Sequence, residues 1–582
     1  MRGRKKLAIL FILLISIFVS GCQENKQSFN EGHEGNSSNI DEYKPEYGGE
    51  IVLPVTNINS LNPLIVNNRS YYYFSKLIFE SLFEYDENFQ IVNQLVENYS
   101  FKDNNTLNIK LKDNVYWHDG EKLTAYDVAF TINTIKYSDD DSTYKRLWRS
   151  YVGNFNGDNI NNIMKALVID ELTMDIVFGF EFSHKLEVLT FPIIPRHIFV
   201  DSIENGRSYE RALVAEDYIP IGTGPFKFVS YEKYKNIQLE ANENYREGRP
   251  YIDTIIGMIL DDKELALISF ETGQTDLAFS VGVDWEKFAQ NKQVNIIEYI
   301  SQSYEFLGFN FSNEVFSKYG QGLRRAIAYG INRQEIIENV YLGHATQIDV
   351  PIHPNSWLLS DEANIYGYNT DMARKELENM GWNDIDGDGY YEDEEGNEVV
   401  LSLTTNSFNN LRLKVAEIIV DNLKDIGIQV IKDYESKLPD NLSEEVTENQ
   451  WIELNEKLKE GKFDIVLLGW NLSPVPELSF AFHSSQIKSN TNFIRYSNEK
   501  MDKALLDAYT ALNLENKFKA YKNVQEIFLE ELPYVSLFFK NEALLLNSKI
   551  KGDIDPTFYD LYRNIEKWYI PKDLQEEKVD NN

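Results

Sequence analysis

Three aspartates alternate with other residues in "DIDGDGYYEDEE", a spacing suited to holding a hard cation. Asp384, Asp386 and Asp388 stand at the first, third and fifth places of a twelve-residue loop, with Gly389 at the sixth and Glu395 at the twelfth. Calcium takes about six to eight oxygen ligands, and such a loop supplies carboxylates, one backbone carbonyl and a final bidentate glutamate. The carbonyl here would be that of Tyr390, and Glu392 falls at the water-bridging place. Structural calcium is one reading. A solvated acidic turn is the other, because "EVVLSLTT" alternates like a strand where an EF-hand would continue as a helix. The seven histidines are scattered without paired-ligand spacing, and there is no GxSxG elbow, phosphate loop or dinucleotide fingerprint.

The single cysteine, Cys22, can close no internal disulfide and build no thiolate zinc site. Its flanks give it another role. Arg2, Arg4, Lys5 and Lys6 form a basic tip, and Leu7 to Val19 is apolar but short of the roughly 20 residues of a membrane span. "VSGC" then has the form of a bacterial lipobox. Residues 1–21 are expected to be a lipoprotein signal peptide and Cys22 the lipidated residue, anchoring the chain at the extracytoplasmic face of the cell membrane. Residues 22–47 are polar and read as a flexible tether.

Composition narrows the classes of partner. A formal net charge of −35 disfavours nucleic acid and anionic headgroups alike, so the lipid must do the anchoring. Roughly 560 residues follow the signal, enough for two or three domains of typical size. Aromatic residues make up 13%, with 35 Tyr and 34 Phe, which serves large cores or a sequence-tolerant binding surface.

These residues must be carried by alternating short strands and amphipathic helices. "GGEIVLPV" and "TLNIKLKDNVYW" read as strands, the second with Leu107, Ile109 and Leu111 on one face. "TAYDVAFTINTIKY" reads as a helix capped by Thr124 with Asp127 in its first turn. "DKELALISFETGQTDLAF" reads as a helix stopped at Gly273 and then a strand, while "GLRRAIAYGINRQEIIENVY" and "MDKALLDAYTALNLENKFKAYKNVQEIFLEEL" read as helices. The body is expected to be an exported α/β globule.

A series of phrases, in order, resembles the extracytoplasmic solute-binding proteins of peptide/nickel-type ABC importers, the oligopeptide-binding family. They include "SLNPL", "LKDNVYWHDGEKLTAYDVAFTI", "PIGTGPFKF", "ISFETGQTDLAF", "LRRAIAYGINRQEI", "KFDIVLLGW" and "EELPYVSLFF", and run from about Gly48 to Ile570. The resemblance implies a two-lobed type II periplasmic-binding fold with an extra third domain and a ligand cleft between the lobes. Lobe one would comprise residues 48–69, 218–303 and 533–570, the extra domain 70–217, and lobe two 304–532. Hinges would fall near Tyr304 and Leu532-Pro533. The implied protein is no enzyme. It would be a monomer that captures an oligopeptide or other small solute and passes it to the permease subunits of an importer. An oligosaccharide, a nickel chelate or, in another class, glycan hydrolysis by paired carboxylates are the alternatives.

The resemblance also implies where ligand would lie: Trp470, Asn471, Leu472 and Ser473 after the "KFDIVLLGW" strand, with Trp470 equally readable as core, and Asn57 from the opposite lobe. One departure stands out. Peptide binders of this family carry, after "GW", an aspartate that receives the peptide's ammonium group, and Ser473 occupies that position here. Glu477, four residues on, is the candidate substitute, and Asn332 stands where an aspartate is usual. Trp117 and His118 in "WHDG" are expected to pack under a turn rather than line the cleft.

Overall fold

The computed structural model describes residues 44–575 apart from 57, 59, 66–67, 201–206, 215–217, 282–283, 364, 399 and 439–442. The signal peptide, Cys22, most of the tether and Asn57 therefore lie outside the described residues. Within them, no helix is long and apolar enough to cross a membrane.

Two four-stranded sheets and a small two-stranded one, Phe83–Tyr85 with Ile91–Asn93, build the first half. Strand Glu50–Thr56 pairs in parallel with Thr254–Leu260, which continues antiparallel to Asn236–Ala241 and Phe226–Glu232. Ile51, Leu53 and Val55 alternate inward and are fully buried, the period of two a half-buried strand requires. A second, antiparallel sheet runs in the order Val96–Phe101, Thr106–Leu111, Thr173–Phe178 and Met164–Val168, burying Leu107, Ile109 and Leu111. Helix Ala125–Tyr137 covers it, opened by a Thr124–Asp127 capping box. Both four-stranded sheets share one hydrophobic core from Ile51 to Ile570. The segment expected as an extra domain is thus continuous in its packing with lobe one. Phe74 shows why: it lies so close to Gly257 of the first sheet that a Cβ there would come within 2.7 Å of its ring.

The phrases "WHDG" and "GTGPF" meet inside this half. His118 Nδ1 accepts from Gly222 N (3.2 Å) and Nε2 faces Gly224 O (3.0 Å), the pattern of a neutral Nε2–H imidazole. Burial pulls its pKa down to about 4. Gly222 has no room for a side chain, since a Cβ would overlap Ile78 O at 1.8 Å. Trp117 is buried beside them. This is scaffold, as expected.

The second core gathers residues between Tyr304 and Phe539. Its sheet is shared with the first half through two long antiparallel strands, Val294–Phe309 and Tyr534–Asn547. Leu277–Val281 borders the second of these, and Ile465–Asn471, Val400–Thr404 and Gln429–Asp433 follow the first. Pairing between the long strands lapses between Ile300 and Tyr304. Tyr299 serves the first core, Tyr304 and Phe306 the second. On the partner strand, Tyr534, Phe538 and Phe539 belong to the second core, and Leu544 and Leu546 to the first. The handover therefore lies near Lys540–Glu542, not at Leu532-Pro533. Leu532, in the left-handed region at φ 46°, and the proline after it only end helix Leu514–Glu531.

Two stretches read as single helices are each a pair. Asn332 caps Arg333–Tyr341 by accepting from Glu335 N (3.1 Å), and Asn513 caps Leu514–Glu531 through Asn516 N (2.8 Å). Away from the long strands a second bridge joins the halves. Lys517 Nζ donates to Glu187 Oε1 (3.0 Å), His184 Nε2 contacts the Tyr521 hydroxyl (3.0 Å), and Ser183 N donates to Tyr509 O (2.6 Å). Burial alone would raise the Glu187 pKa, but Lys517 and His184 hold it well below the carboxylate range.

Candidate ligand-binding cavity

A cavity of about 450 Å³ opens between the two cores, within the roughly 300–1,000 Å³ range of small-ligand sites. Its first wall begins with the short helix Arg69–Ser75, whose start is fixed by Asn68 Oδ1 accepting from Tyr71 N (2.7 Å). Tyr71 and Phe74 turn into the core, leaving Tyr72 and, one turn on, Lys76 to face the cavity. Lys76 Nζ stands 5.3 Å from the Tyr72 ring centre and donates to Tyr559 O (2.8 Å). Tyr85, Tyr144, Tyr151 and Tyr562 extend the aromatic wall.

Charges on this wall are unequally satisfied. Glu80, 3% exposed, accepts from Arg246 Nη1 (2.5 Å), Thr223 Oγ1 (2.8 Å) and Tyr245 (3.1 Å). Asp560 Oδ2 lies 3.4 Å from Lys76 Nζ. Glu84 accepts from Gln94 Nε2 (3.1 Å), and burial together with the nearby Asp560 charge pushes its pKa up to about 7. The buried Tyr562 hydroxyl and Arg246 Nε have no hydrogen-bond partner among the described residues.

Opposite this wall, among the described residues, Gln302 from the lapse in the long strand and Ser473 and Pro474 from the chain after Ile465–Asn471 reach the cavity. Leu472 N donates to Gln302 O (2.9 Å), which holds this segment against the lapse in the long strand. Side chains along an extended chain point alternately to opposite faces, and that alternation sorts the four expected ligand residues. Trp470 stacks on Phe306 and meets Phe480 edge-on, and Leu472 is buried, both in the second core rather than the cavity wall. Asn471 is exposed and accepts from Ser303 Oγ (3.1 Å) without lining the cavity. Ser473 lines it, its hydroxyl donating to Val475 O (2.6 Å). Glu477 does not take the place of the missing aspartate. Its carboxylate lies against Gly153 and accepts from Ser479 N (3.1 Å) at the start of the short helix Ser479–Phe482, outside the cavity lining.

The acidic loop is a half-match. Asp384, Asp386 and Asp388 bring ligand atoms within 4.8 Å of one another. Their oxygens already accept from Gly387 N (2.7 Å), Gly389 N (3.2 Å), Asp388 N (3.1 Å) and Tyr390 N (2.8 Å). Glu395, the expected final ligand, is not in this group and lies 4.0 Å from Lys318. The chain after Tyr390 bridges back from Glu392 to Asn383, and a second turn held by Asp393 carries Glu395 away.

Sequence reasoning did not single out Glu84, Asp560, Lys76 or the tyrosines. "RSYYYFSK" and the four-residue spacing of Glu80 and Glu84 were visible signals, but Asp560 joins them only through the fold.

Residues 90–492 match the profile described as "Bacterial extracellular solute-binding proteins, family 5 Middle". Over 98% of its length the chain is 28% identical to the whole of the oligopeptide-binding protein AppA of Bacillus subtilis. The structure of that protein in complex with a nonapeptide aligns with a TM-score of 0.59 and 26% identity, covering 91% of this chain and 100% of that one. Heme-binding protein A of Haemophilus influenzae is 25% identical, covering 86% of this chain and 89% of the relative. NikZ of Campylobacter jejuni, solved with Ni(L-His), shares the fold at a TM-score of 0.62 and 24% identity, over 89% of this chain and 99% of that one. The fold is a mixed α/β, type II periplasmic-binding fold, and the chain belongs to family 5 of the bacterial extracellular solute-binding proteins.

Proposed function

We propose that this protein captures an oligopeptide-like solute between its lobes and delivers it to the permease subunits of an ABC importer. It acts as a monomer, held at the extracytoplasmic face of the membrane by lipid on Cys22. The observation that carries the reading is the tyrosine-walled cavity between the cores. Tyrosine offers a rigid ring and a hydroxyl to many side chains without reading one sequence. The extended segment at Ser473 gives a peptide backbone a strand-like edge to bond, as extended peptides do. Ligand is held there unchanged, since nothing in this reading asks for a nucleophile.

Mass spectrometry of solute released by denaturing the purified protein tests the ligand class. A peptide is the expected result. An oligosaccharide or a nickel chelate would overturn that class, and glycan fragments accumulating on incubation would make the protein a hydrolase. Cys22→Ala should move the protein from the membrane fraction into solution. Retention in the membrane would remove the anchor from the proposal.

A further inference from the structure

The cavity's charges do not balance: Asp86 is held by Asn88 N and Gln90 N (2.9 Å each) within its own turn, and the rest of the imbalance gathers around Lys76. Glu80 is matched by Arg246, and Glu247 by Arg246 (3.1 Å) and Lys112 (3.9 Å). Arg563 is matched by Glu87 (2.6 Å) and Asp555, and Glu566 faces Lys567 (3.8 Å). Arg69 bonds Tyr73 and Phe558 O, with Glu542 nearby. Among the described residues that leaves Lys76 as the cation shared by two carboxylates of this wall, Asp560 at 3.4 Å and the nearby Glu84. Gln94 can donate to Glu84 but cannot neutralise it.

We propose that Glu84 and Asp560 form a receptor for a cationic group of the ligand, an alkylammonium or a guanidinium, on the first-lobe wall. This rests on the reading of the cavity as a solute site. An entering cation gives the two carboxylates a charge-assisted donor and shares with Lys76 the balancing of their charge. A second observation points the same way. The Tyr562 hydroxyl, 2% exposed and two residues from Asp560, lines the cavity without a hydrogen-bond partner among the described residues. Its oxygen is free to accept a further N–H of the same cation, and the Tyr72 and Tyr559 rings, already close to one ammonium at Lys76, add favourable faces. Across the cavity Ser473 brings no charge, so the cation is read from one side. The cation comes either from a peptide's N-terminus or from a basic side chain, and the two sources are separable.

The test titrates wild type, Glu84→Gln and Asp560→Asn by calorimetry with three matched tetrapeptides: free amine and neutral, N-acetylated and neutral, N-acetylated with one lysine. Wild type should favour at least one cationic peptide over the neutral one by roughly tenfold or more, and the arm that gains names the source. Glu84→Gln should abolish that preference, weakening the cationic peptide at least roughly tenfold more than the neutral one. Should Glu84→Gln fail to fold by circular dichroism, Asp560→Asn is read by the same criterion. Absence of preference in wild type, or an equal loss on all three peptides, overturns the receptor. If wild type binds none of the peptides, the proposed function fails by itself. Cadaverine against 1,5-pentanediol, read by thermal shift, then decides the receptor: a selective rise lost in Glu84→Gln sustains it, and no selective rise overturns it.

Discussion

One wall of the cavity presents tyrosine rings, Lys76, Glu84, Arg246 and Asp560; the facing wall, among the described residues, presents Gln302, Ser473 and Pro474. The charged wall grows from one core that also holds the segment 70–217 and takes in only Val475 and Tyr509 from residues 304–532, so its groups keep their geometry mainly through packing within the first half. The other wall is a short extended segment pinned by Leu472 N to Gln302 O. On the function proposed above, selectivity would belong to the first wall and enclosure to the second. Within the first wall the same contrast recurs, between carboxylates matched by protein cations and carboxylates that share one.

The strongest way to break this comparison is to unmatch a matched charge. Glu80→Gln would leave buried Arg246 with only the half-exposed Glu247 as counter-charge, a loss of roughly 1–3 kcal/mol. Urea denaturation measures it, and a loss under about 1 kcal/mol would mean that the wall does not depend on the pair. A smaller effect should follow from giving the second wall a charge. Ser473→Asp should tighten binding of a free-amine peptide about tenfold, about 1.4 kcal/mol, and leave its acetylated form unchanged. An equal change in both would show that the serine acts by shape.

The shared carboxylates should also announce themselves in the stability of the empty protein. Glu84 is raised from 4.5 to about 7, so the folded protein keeps a proton that the unfolded chain has released. The stabilisation this provides is full below pH 4.5 and is lost as pH rises through 7. Glu84→Gln, neutral throughout, should match wild type at pH 4.5 and melt about a degree or two higher at pH 8. Equal melting at both values would place Glu84 among the matched groups. The smallest effect belongs to the acidic loop. With Glu395 turned away, millimolar calcium should change the melting temperature by less than about half a degree relative to EDTA. A rise of several degrees that Asp384→Ala removes would restore the metal site.

Local rules made much of the fold legible. The Thr124 cap, the stop at Gly273 and the inward alternation of Leu107, Ile109 and Leu111 depend on neighbours a few residues away. Asn332 and Asn513 were harder, because an asparagine inside an apolar periodicity looks like a polar surface position until its side chain is seen to cap a new helix. Ser473 was found through resemblance. Trp470 and Leu472 were lost to the alternation of the same strand, a period that sequence also contains. Glu84 and Asp560 lie in segments remote along the chain, and no spacing rule connects them. The calcium loop failed at its last ligand, where bridging by Glu392 redirected the chain.

The bridge between Lys517 and Glu187 bears on time rather than affinity. Both side chains are nearly dry, at 7% and 12% exposure, and His184 and Tyr521 close around them. Any parting of the lobes at this edge has to readmit water to a desolvated ion pair before it frees whatever lies between them. Where release requires that parting, its rate would set a ceiling for every solute. Weak and strong ligands alike would then share one fastest departure, fixed by residues that neither of them touches.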